Sequence, residues 1–126
     1  MNAREIGIAG EQAASEFLAK NGYVIIARNF HSRYGEVDII ARNDTYIVFV
    51  EVKARKPGAI VTGVEAVGSS KRRKIMMTAL DYLSQQKSSL QPRFDVIDII
   101  FENNVNVRKL EHIINAFDVE EIDGFF

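Results

Sequence analysis

The chain has 126 residues, 47% of them hydrophobic, so we expect one domain over residues 1–126 with a core of its own. It lacks cysteine, which excludes disulfide and thiolate chemistry. A formal net charge of −1 argues against a protein that holds DNA by charge alone, although a metal and a local basic rim can substitute. The sequence has no signal-peptide pattern and no apolar run of membrane-spanning length, so we expect a cytoplasmic protein without a membrane partner.

The first predicted element is a helix over residues 3–21. Its apolar side gathers Ile6, Ala13, Ala14, Phe17 and Leu18. Glu11 lies at the edge of this stripe, where a solvated boundary residue and a site residue are both open readings. Gly7 and Gly10 each cost the helix about 1 kcal/mol relative to alanine. We expect the two glycines to allow the helix to approach a sheet closely.

Three predicted strands follow the helix. Residues 23–29 form an apolar strand-type run, and residues 30–34 form a polar connection to the next strand. Val37–Ala41 and Tyr46–Val52 are then joined by a polar turn at residues 42–45. The last of these strands is apolar on both faces, which is typical of a strand in the middle of a sheet.

Charged side chains interrupt one face of this predicted hairpin. Because residues two apart on a strand point the same way, Glu36, Asp38, Glu51 and Lys53 share that face. A four-residue loop places Asp38 opposite Glu51, a two-residue loop places them diagonally, and a three-residue loop breaks the alignment. In the first two cases the two carboxylates come within roughly 5–8 Å of each other.

Two carboxylates this close are costly without a cation, because like charges repel and burial adds to the cost. A divalent metal would remove that cost and would provide an activated water for phosphodiester hydrolysis. Lys53 beside it suits a phosphoryl oxygen or the attacking water. The alternatives are a solvated strand face with a weak ion pair, or a structural cation site.

The second half of the chain begins with a predicted loop over residues 54–68. Ser69 or Ser70 then caps a helix that runs to about Gln86. Its apolar spacing uses Met76, Ala79, Leu80 and Leu83. A positive run near its start works against the helix dipole, which suggests phosphate contacts or a solvated basic face. The nucleic-acid-binding candidates are Lys71, Arg72, Lys74 and Arg55.

The chain is expected to end with two strands, over residues 93–101 and 105–114. Asn103-Asn104 is a hairpin turn signal between them. Asp95 and Asp98 lack a partner at metal-ligand spacing, so we interpret both as structural. An acidic tail starts at about residue 118. The predicted fold is therefore α/β in the order α-β-β-β-α-β-β, a mixed central sheet of about five strands flanked by two helices.

The motifs extend over nearly the whole chain. They are Gly10-Glu11 with Ala14 and Phe17-Leu18, Gly22-Tyr23, Arg28-Asn29, Gly35 to Ala41, Val48 to Lys53, Arg93 to Val96, and His112 to Phe117. On these residues the chain resembles the YraN-like family of small bacterial proteins. That family is similar to archaeal Holliday junction resolvases within the restriction-endonuclease-like, PD-(D/E)xK superfamily. One departure is that Val37, not proline, precedes Asp38.

The resemblance implies a restriction-endonuclease-like fold and a nuclease that uses Mg²⁺ or Mn²⁺. Asp38, Glu51 and the backbone carbonyl of Val52 would hold the metal, and Lys53 would be the catalytic lysine. Glu11 would complete the acids, and Glu36 would stand outside them. The expected substrate is DNA, in branched or structured form, and relatives that act on two-fold junctions imply a homodimer. The alternative is a nuclease fold that binds nucleic acid or a protein partner without cutting.

Overall fold

A computed structural model describes residues 2–57, 67–103 and 106–118. It has two helices and five strands in the predicted order. The elements are α1 Ala3–Lys20, β1 Val24–Ser32, β2 Gly35–Arg42, β3 Tyr46–Arg55, α2 Ser69–Ser84, β4 Gln91–Phe101 and β5 Val107–Phe117. The α/β fold class and the element order predicted from the sequence are confirmed.

The five strands form one mixed sheet in which spatial order follows chain order, from β1 to β5. β3 and β4 are parallel, and the other neighbours are antiparallel. α1 covers one face of the sheet and α2 covers the other. Alternate residues of each strand point to opposite faces, so each strand contributes side chains to both cores. The α1 face buries Leu18, Ile39, Val48, Val50, Ile97 and Ile99. The α2 face buries Ile40, Phe49, Met76, Ala79, Phe94 and Phe117.

Local chemistry fixes both ends of α1. The Glu5 amide donates to Asn2 Oδ1 over 2.9 Å, and the Asn2 amide donates to Glu5 Oε1 over 3.2 Å, which is a capping box. At the other end Gly22 adopts φ +89°, a left-handed conformation that stops the helix. Neither described helix combines the length and the apolar character that crossing a membrane requires.

Strand β1 is longer than the sequence predicted. Residues 30–32, expected in a connection, continue the strand because Phe30 pairs with Val37 and Ser32 with Gly35. The hairpin turn is therefore reduced to Arg33 and Tyr34. Backbone pairing with β2 extends the strand beyond the apolar run that the sequence reveals.

The start of α2 also differs from the prediction. Gly68 is the N-cap, without a side-chain cap bond, and the helix begins at Ser69 and ends at Ser84. Leu80, expected on the buried stripe, is 43% exposed, whereas Ile75 and Tyr82 are buried. The side of the helix that faces the sheet is thus rotated from the predicted one, so that it includes Ile75 and excludes Leu80.

The last strand, β5, is shifted toward the C-terminus by two or three residues. It ends at Phe117, which is buried and pairs with Phe94, with the two rings 5.5 Å apart. The predicted loop over residues 54–68 starts only after Arg55, and residues 58–66 lie outside the described part of the chain. Most of the predicted Asn103-Asn104 turn and acidic tail, residues 104–105 and 119–126, lie outside it as well.

A buried polar network ties β4 and β5 together on the α1 face. Asp95, fully buried, accepts from Arg93 at both oxygens, contacts His112 Nε2 at 2.7 Å and accepts from the Asn115 amide at 2.9 Å. Arg93 also donates to the Tyr23 hydroxyl over 2.6 Å. These contacts account for Asp95 as a structural residue, since buried charges are tolerated when they are paired and hydrogen-bonded.

Candidate active site

The register of β2 against β3 decides between the hairpin loops that the sequence left open. Ile39 pairs with Val50 and Arg42 with Ile47, so the loop has four residues. The ladder ends at the pair Ile39–Val50, one residue after Asp38 on β2 and one residue before Glu51 on β3. Glu51 lies on the α2 face, on the same side of β3 as Phe49, and the Asp38 carboxyl lies beside it, in reach of both its charge and its side-chain hydrogen bond.

Asp38 is hydrogen-bonded to β3, the strand that carries Glu51. Its Oδ2 accepts a hydrogen bond from the Val52 amide over 2.8 Å. Burial and the charge of Glu51 together raise the pKa of Asp38 to about 7, and the hydrogen bond from Val52 offsets only part of this increase. Without a cation this carboxyl is therefore partly protonated at neutral pH.

Glu51 is surrounded by positive charge, although its side chain is only 4% exposed. Its Oε1 lies 2.5 Å from Lys71 Nζ and 3.6 Å from Lys53 Nζ. Lys53 comes from the same strand, two residues on, whereas Lys71 comes from the first turn of α2. Strand and helix thus converge on one carboxylate oxygen.

The two lysines are shifted in opposite directions. Burial lowers the pKa of Lys53, and its contact with Lys71 lowers it further. Burial acts to lower the pKa of Lys71 as well, but the bonds to Glu51 and Lys53 outweigh it and the pKa of Lys71 is raised. Lys71 therefore keeps its proton, while Lys53 is the lysine that gives up a proton more readily.

Glu11 approaches the acids from α1, next to Asn29 of β1. Burial raises the pKa of Glu11, a hydrogen bond from the Asn29 side chain opposes this, and the charges of Glu36 and Glu51 add to the increase. Glu11 in turn helps to raise the pKa of Asp38. The first helix therefore contributes electrostatically to the site that the two strands form.

Asn29 is a site residue that sequence reasoning did not single out. It lies in β1 between residues that pair with Val37 and Ile39, so it faces Asp38 across the strands. Its φ of +53° is left-handed, a conformation that asparagine tolerates better than most residues. The sequence signal was the Arg28-Asn29 pair alone, which does not reveal a backbone angle.

The remaining predicted residues are either exposed or bonded to partners other than Asp38 and Glu51. Glu36 is exposed, with His31 Nδ1 3.9 Å from its carboxylate. Arg55 donates to both oxygens of Asp98, and Arg72 Nε donates to the Val67 carbonyl over 2.8 Å. Lys74 is exposed on α2, one turn beyond Lys71.

The donor set at this site fits a hard divalent cation in part. Asp38 and Glu51 offer oxygen ligands side by side, and burial together with the Glu51 charge raises the pKa of Asp38, which a cation would reverse. Within the described residues, however, no group of three or more His, Cys, Asp or Glu side chains is placed to hold a metal ion. Any further ligands would have to be backbone oxygens, such as the Val52 carbonyl, or water.

The comparisons with known proteins bear on this arrangement. Residues 10–99, which include Glu11, Asp38, Glu51 and Lys53, match the model of the uncharacterised protein family UPF0102. A UPF0102 protein of Syntrophomonas wolfei is 43% identical over 115 residues, covering 90% of this chain and 98% of the relative. A UPF0102 protein of Clostridium acetobutylicum is 43% identical over 117 residues, covering 92% and 96%. One of Symbiobacterium thermophilum is 47% identical over 98 residues, covering 77% and 83%.

The family model covers well over half of the chain, from within α1 to within β4. The residues that form the site lie inside the matched segment. The chain belongs to the uncharacterised protein family UPF0102, the YraN-like family.

Proposed function

We propose that this protein is a nuclease that hydrolyses nucleic-acid phosphodiester bonds with Mg²⁺ or Mn²⁺. The observation that carries the proposal is that the Asp38 carboxyl, bonded to the Val52 amide, lies beside Glu51, with Lys53 Nζ 3.6 Å from Glu51 Oε1. Paired carboxylates and a lysine at the end of a central hairpin match the pattern of the PD-(D/E)xK superfamily. The resemblance to Holliday junction resolvases favours branched or structured DNA as the substrate.

Each residue has a defined role in this proposal. Asp38, Glu51 and the Val52 carbonyl hold the metal, which when bound activates water and neutralises charge on the phosphate. Lys53, whose pKa is lowered, is suited to orient the attacking water and to accept a proton from it. Glu11 keeps its carboxyl beside the acids and adds to the negative potential that attracts a cation.

Substrate binding is assigned to the lysines at the start of α2. Lys71 and Lys74 are exposed, with the Lys71 side chain 45% exposed beside Glu51. A helix N-terminus also presents backbone amides that favour a phosphate. Arg55 and Arg72 already bond to Asp98 and to the Val67 carbonyl, so we assign them to stabilising the fold here and not to contacting the nucleic acid. A homodimer would place two such edges on one branched substrate.

A non-catalytic binding module is the second candidate, and one observation favours it. The charge of Glu51 is countered by Lys71 and Lys53 without any metal. A degenerate site would retain this internal balance and would bind no cation. Calorimetric titration with Mn²⁺ separates the two functions, because only a working site binds the metal in a way that depends on Asp38.

The test is a cleavage assay on a panel of branched, flapped and plain DNA and RNA duplexes with Mn²⁺. Lys53→Met and Asp38→Ala are each expected to reduce cleavage at least about 100-fold, as loss of a catalytic group does. Lys56→Met is the matched control, since Lys56 is an exposed lysine three residues beyond Lys53. Full activity of Lys53→Met, or cleavage by the wild type that persists in excess EDTA, would contradict the proposal.

A further inference from the structure

The first turn of α2 delivers an ammonium group to the acid pair. Lys71 Nζ lies 2.5 Å from Glu51 Oε1, the shortest of the ion pairs at this site. Glu51 is almost fully buried, and Lys71 reaches it from a helix that packs across the same face of the sheet. Lys53 approaches the same oxygen, but at 3.6 Å. The ammonium group occupies one lone pair of Oε1, and its positive charge opposes a divalent cation at the same carboxylate.

We propose that Lys71 is the counter-ion of Glu51 in the metal-free protein, that a divalent cation displaces it, and that the displaced lysine binds the substrate phosphate. This inference rests on the proposed function and adds to it a competition between the metal and a residue of α2. Lys71 is suited to both states because its side chain is long, flexible and 45% exposed. Displacement needs no change in the backbone of α2.

The competition makes metal and substrate assist each other. In the metal-free protein the charge of Lys71 is countered by Glu51, so Lys71 attracts an anion less strongly. When the cation binds Glu51, Lys71 is released close to the place where a phosphate would sit. By linkage, a bound phosphate must then favour the cation by the same factor by which the cation favours phosphate.

Calorimetric titration with Mn²⁺ tests the competition, with the proteins wild type, Lys71→Gln and Arg73→Gln. Removing the competing ammonium group should tighten Mn²⁺ binding at least about 5-fold, within the usual range of coupling between two sites. Arg73→Gln removes one positive charge from the same exposed helical turn. Within the described residues, the ion pairs of Glu51 are with Lys53 and Lys71, not with Arg73. The Mn²⁺ affinity of Arg73→Gln should therefore stay within about 2-fold of the wild type, because exposed charges interact weakly.

A second measurement uses the wild-type protein, so it does not depend on how a variant folds. In protein labelled with ¹⁵N-lysine, the Lys71 ammonium signal should be protected from exchange by Glu51 and should move on addition of Mg²⁺. The Lys74 signal, one turn away on the surface, should stay in place. A Lys71 signal that Mg²⁺ leaves unchanged while Mg²⁺ binds would overturn the inference.

The role of released Lys71 is tested by anisotropy of a labelled DNA duplex with and without Ca²⁺. Ca²⁺ should strengthen duplex binding in the wild type and strengthen it less in Lys71→Gln. If both proteins bind Mn²⁺ equally well and respond equally to Ca²⁺, the inference fails and the nuclease proposal stands. If neither protein binds Mn²⁺, both fail, whereas binding by Lys71→Gln alone supports the competition.

Discussion

Gly10 of α1 faces Ala54 of β3 so closely that a Cβ atom on Gly10 would lie 2.5 Å from the Ala54 Cβ. Real Cβ atoms do not approach one another to that distance, so only glycine fits here without a shift of helix or strand. The contact brings the first helix down onto the strand that carries Glu51 and Lys53. Glu11, the next residue on the helix, is placed near the acids by this approach.

The first prediction compares two glycines of α1. Gly10→Ala should destabilise the protein by about 2 kcal/mol, because the added methyl group forces helix and sheet apart. Gly7→Ala should be neutral or stabilising by up to about 1 kcal/mol, since nothing lies within 4 Å of its Cβ position and alanine favours the helix. Urea unfolding followed by circular dichroism measures both changes. Equal effects of the two substitutions would remove close packing as the reason for Gly10.

The second prediction concerns Asp38 in the absence of metal. Its folded-state pKa of about 7 is raised above the ordinary value of 3.8, so its contribution to stability is present below pH 3.8 and is lost as the pH rises through 7. The shift corresponds to at most about 4 kcal/mol, and we expect about 2 kcal/mol after allowing for relaxation and partial solvation of the site. Asp38→Asn removes this loss.

In EDTA the free energy of unfolding of Asp38→Asn should therefore exceed that of the wild type at pH 8 and match it near pH 4. Urea unfolding across this range measures the difference, and Asp44→Asn, at an exposed turn residue, serves as the control. The same Asp38 variant should lose Mn²⁺ binding. A wild type that is as stable as Asp38→Asn at pH 8 would show that the carboxyl is not under electrostatic stress.

The third prediction concerns the hydrogen bond that Asn29 donates to Glu11. Asn29→Gly keeps the left-handed backbone available but removes the donor, so the pKa of Glu11 should rise above its wild-type value. Carboxyl ¹³C titration of Glu11 by NMR measures the shift. Asn115→Gly is the matched control, because Asn115 has a similar φ of +54° but lies on β5 in contact with Asp95. An unchanged Glu11 pKa in Asn29→Gly would reject the hydrogen bond.

The fourth prediction concerns the buried network around Asp95. Asp95→Asn should cost about 3 kcal/mol or more at neutral pH, because it leaves the buried Arg93 charge without its partner. Burial acts to raise the pKa of Asp95, but the bonds from His112 and Arg93 outweigh it and the pKa is lowered. Its stabilisation is therefore present above pH 3.8 and is lost as the pH falls through the lower folded-state pKa.

Urea unfolding of Asp95→Asn should accordingly differ most from the wild type near pH 7 and converge with it in strong acid. Asp44→Asn, exposed and in a turn, should change stability by less than about 0.5 kcal/mol. A constant difference between Asp95→Asn and the wild type at every pH would indicate that the carboxylate charge contributes nothing.

The sequence predicted the sheet, because strand patterns depend on local spacing, and it predicted that Asp38 and Glu51 come close together. It did not choose between a two-residue and a four-residue hairpin loop, since that choice depends on pairing across the turn. The extension of β1 to Ser32 and the exposure of Leu80 were missed for the same reason. Both are set by what packs or pairs against the element.

Side-chain partners likewise depend on contacts between residues that are distant in the sequence. Lys71 was predicted to contact phosphate from its place at a helix start, but its contact with Glu51 joins residues 20 positions apart. The Asp95 network joins residues up to 70 positions apart, as Arg93 and Tyr23 are. Single-sequence reasoning finds charged residues that need partners, whereas it does not identify which distant residue provides one.

The parallel pairing of β3 with β4 has a consequence for the order of folding. β1, β2 and β3 follow one another as antiparallel neighbours and can assemble early from local contacts, whereas β4 can join β3 only after the crossover through α2. Asp38, Glu51 and Lys53 thus come together on the early unit, and Lys71 arrives with the crossover. A nascent chain released before α2 has formed would expose its acid pair with Lys53 alone to counter the charge of Glu51.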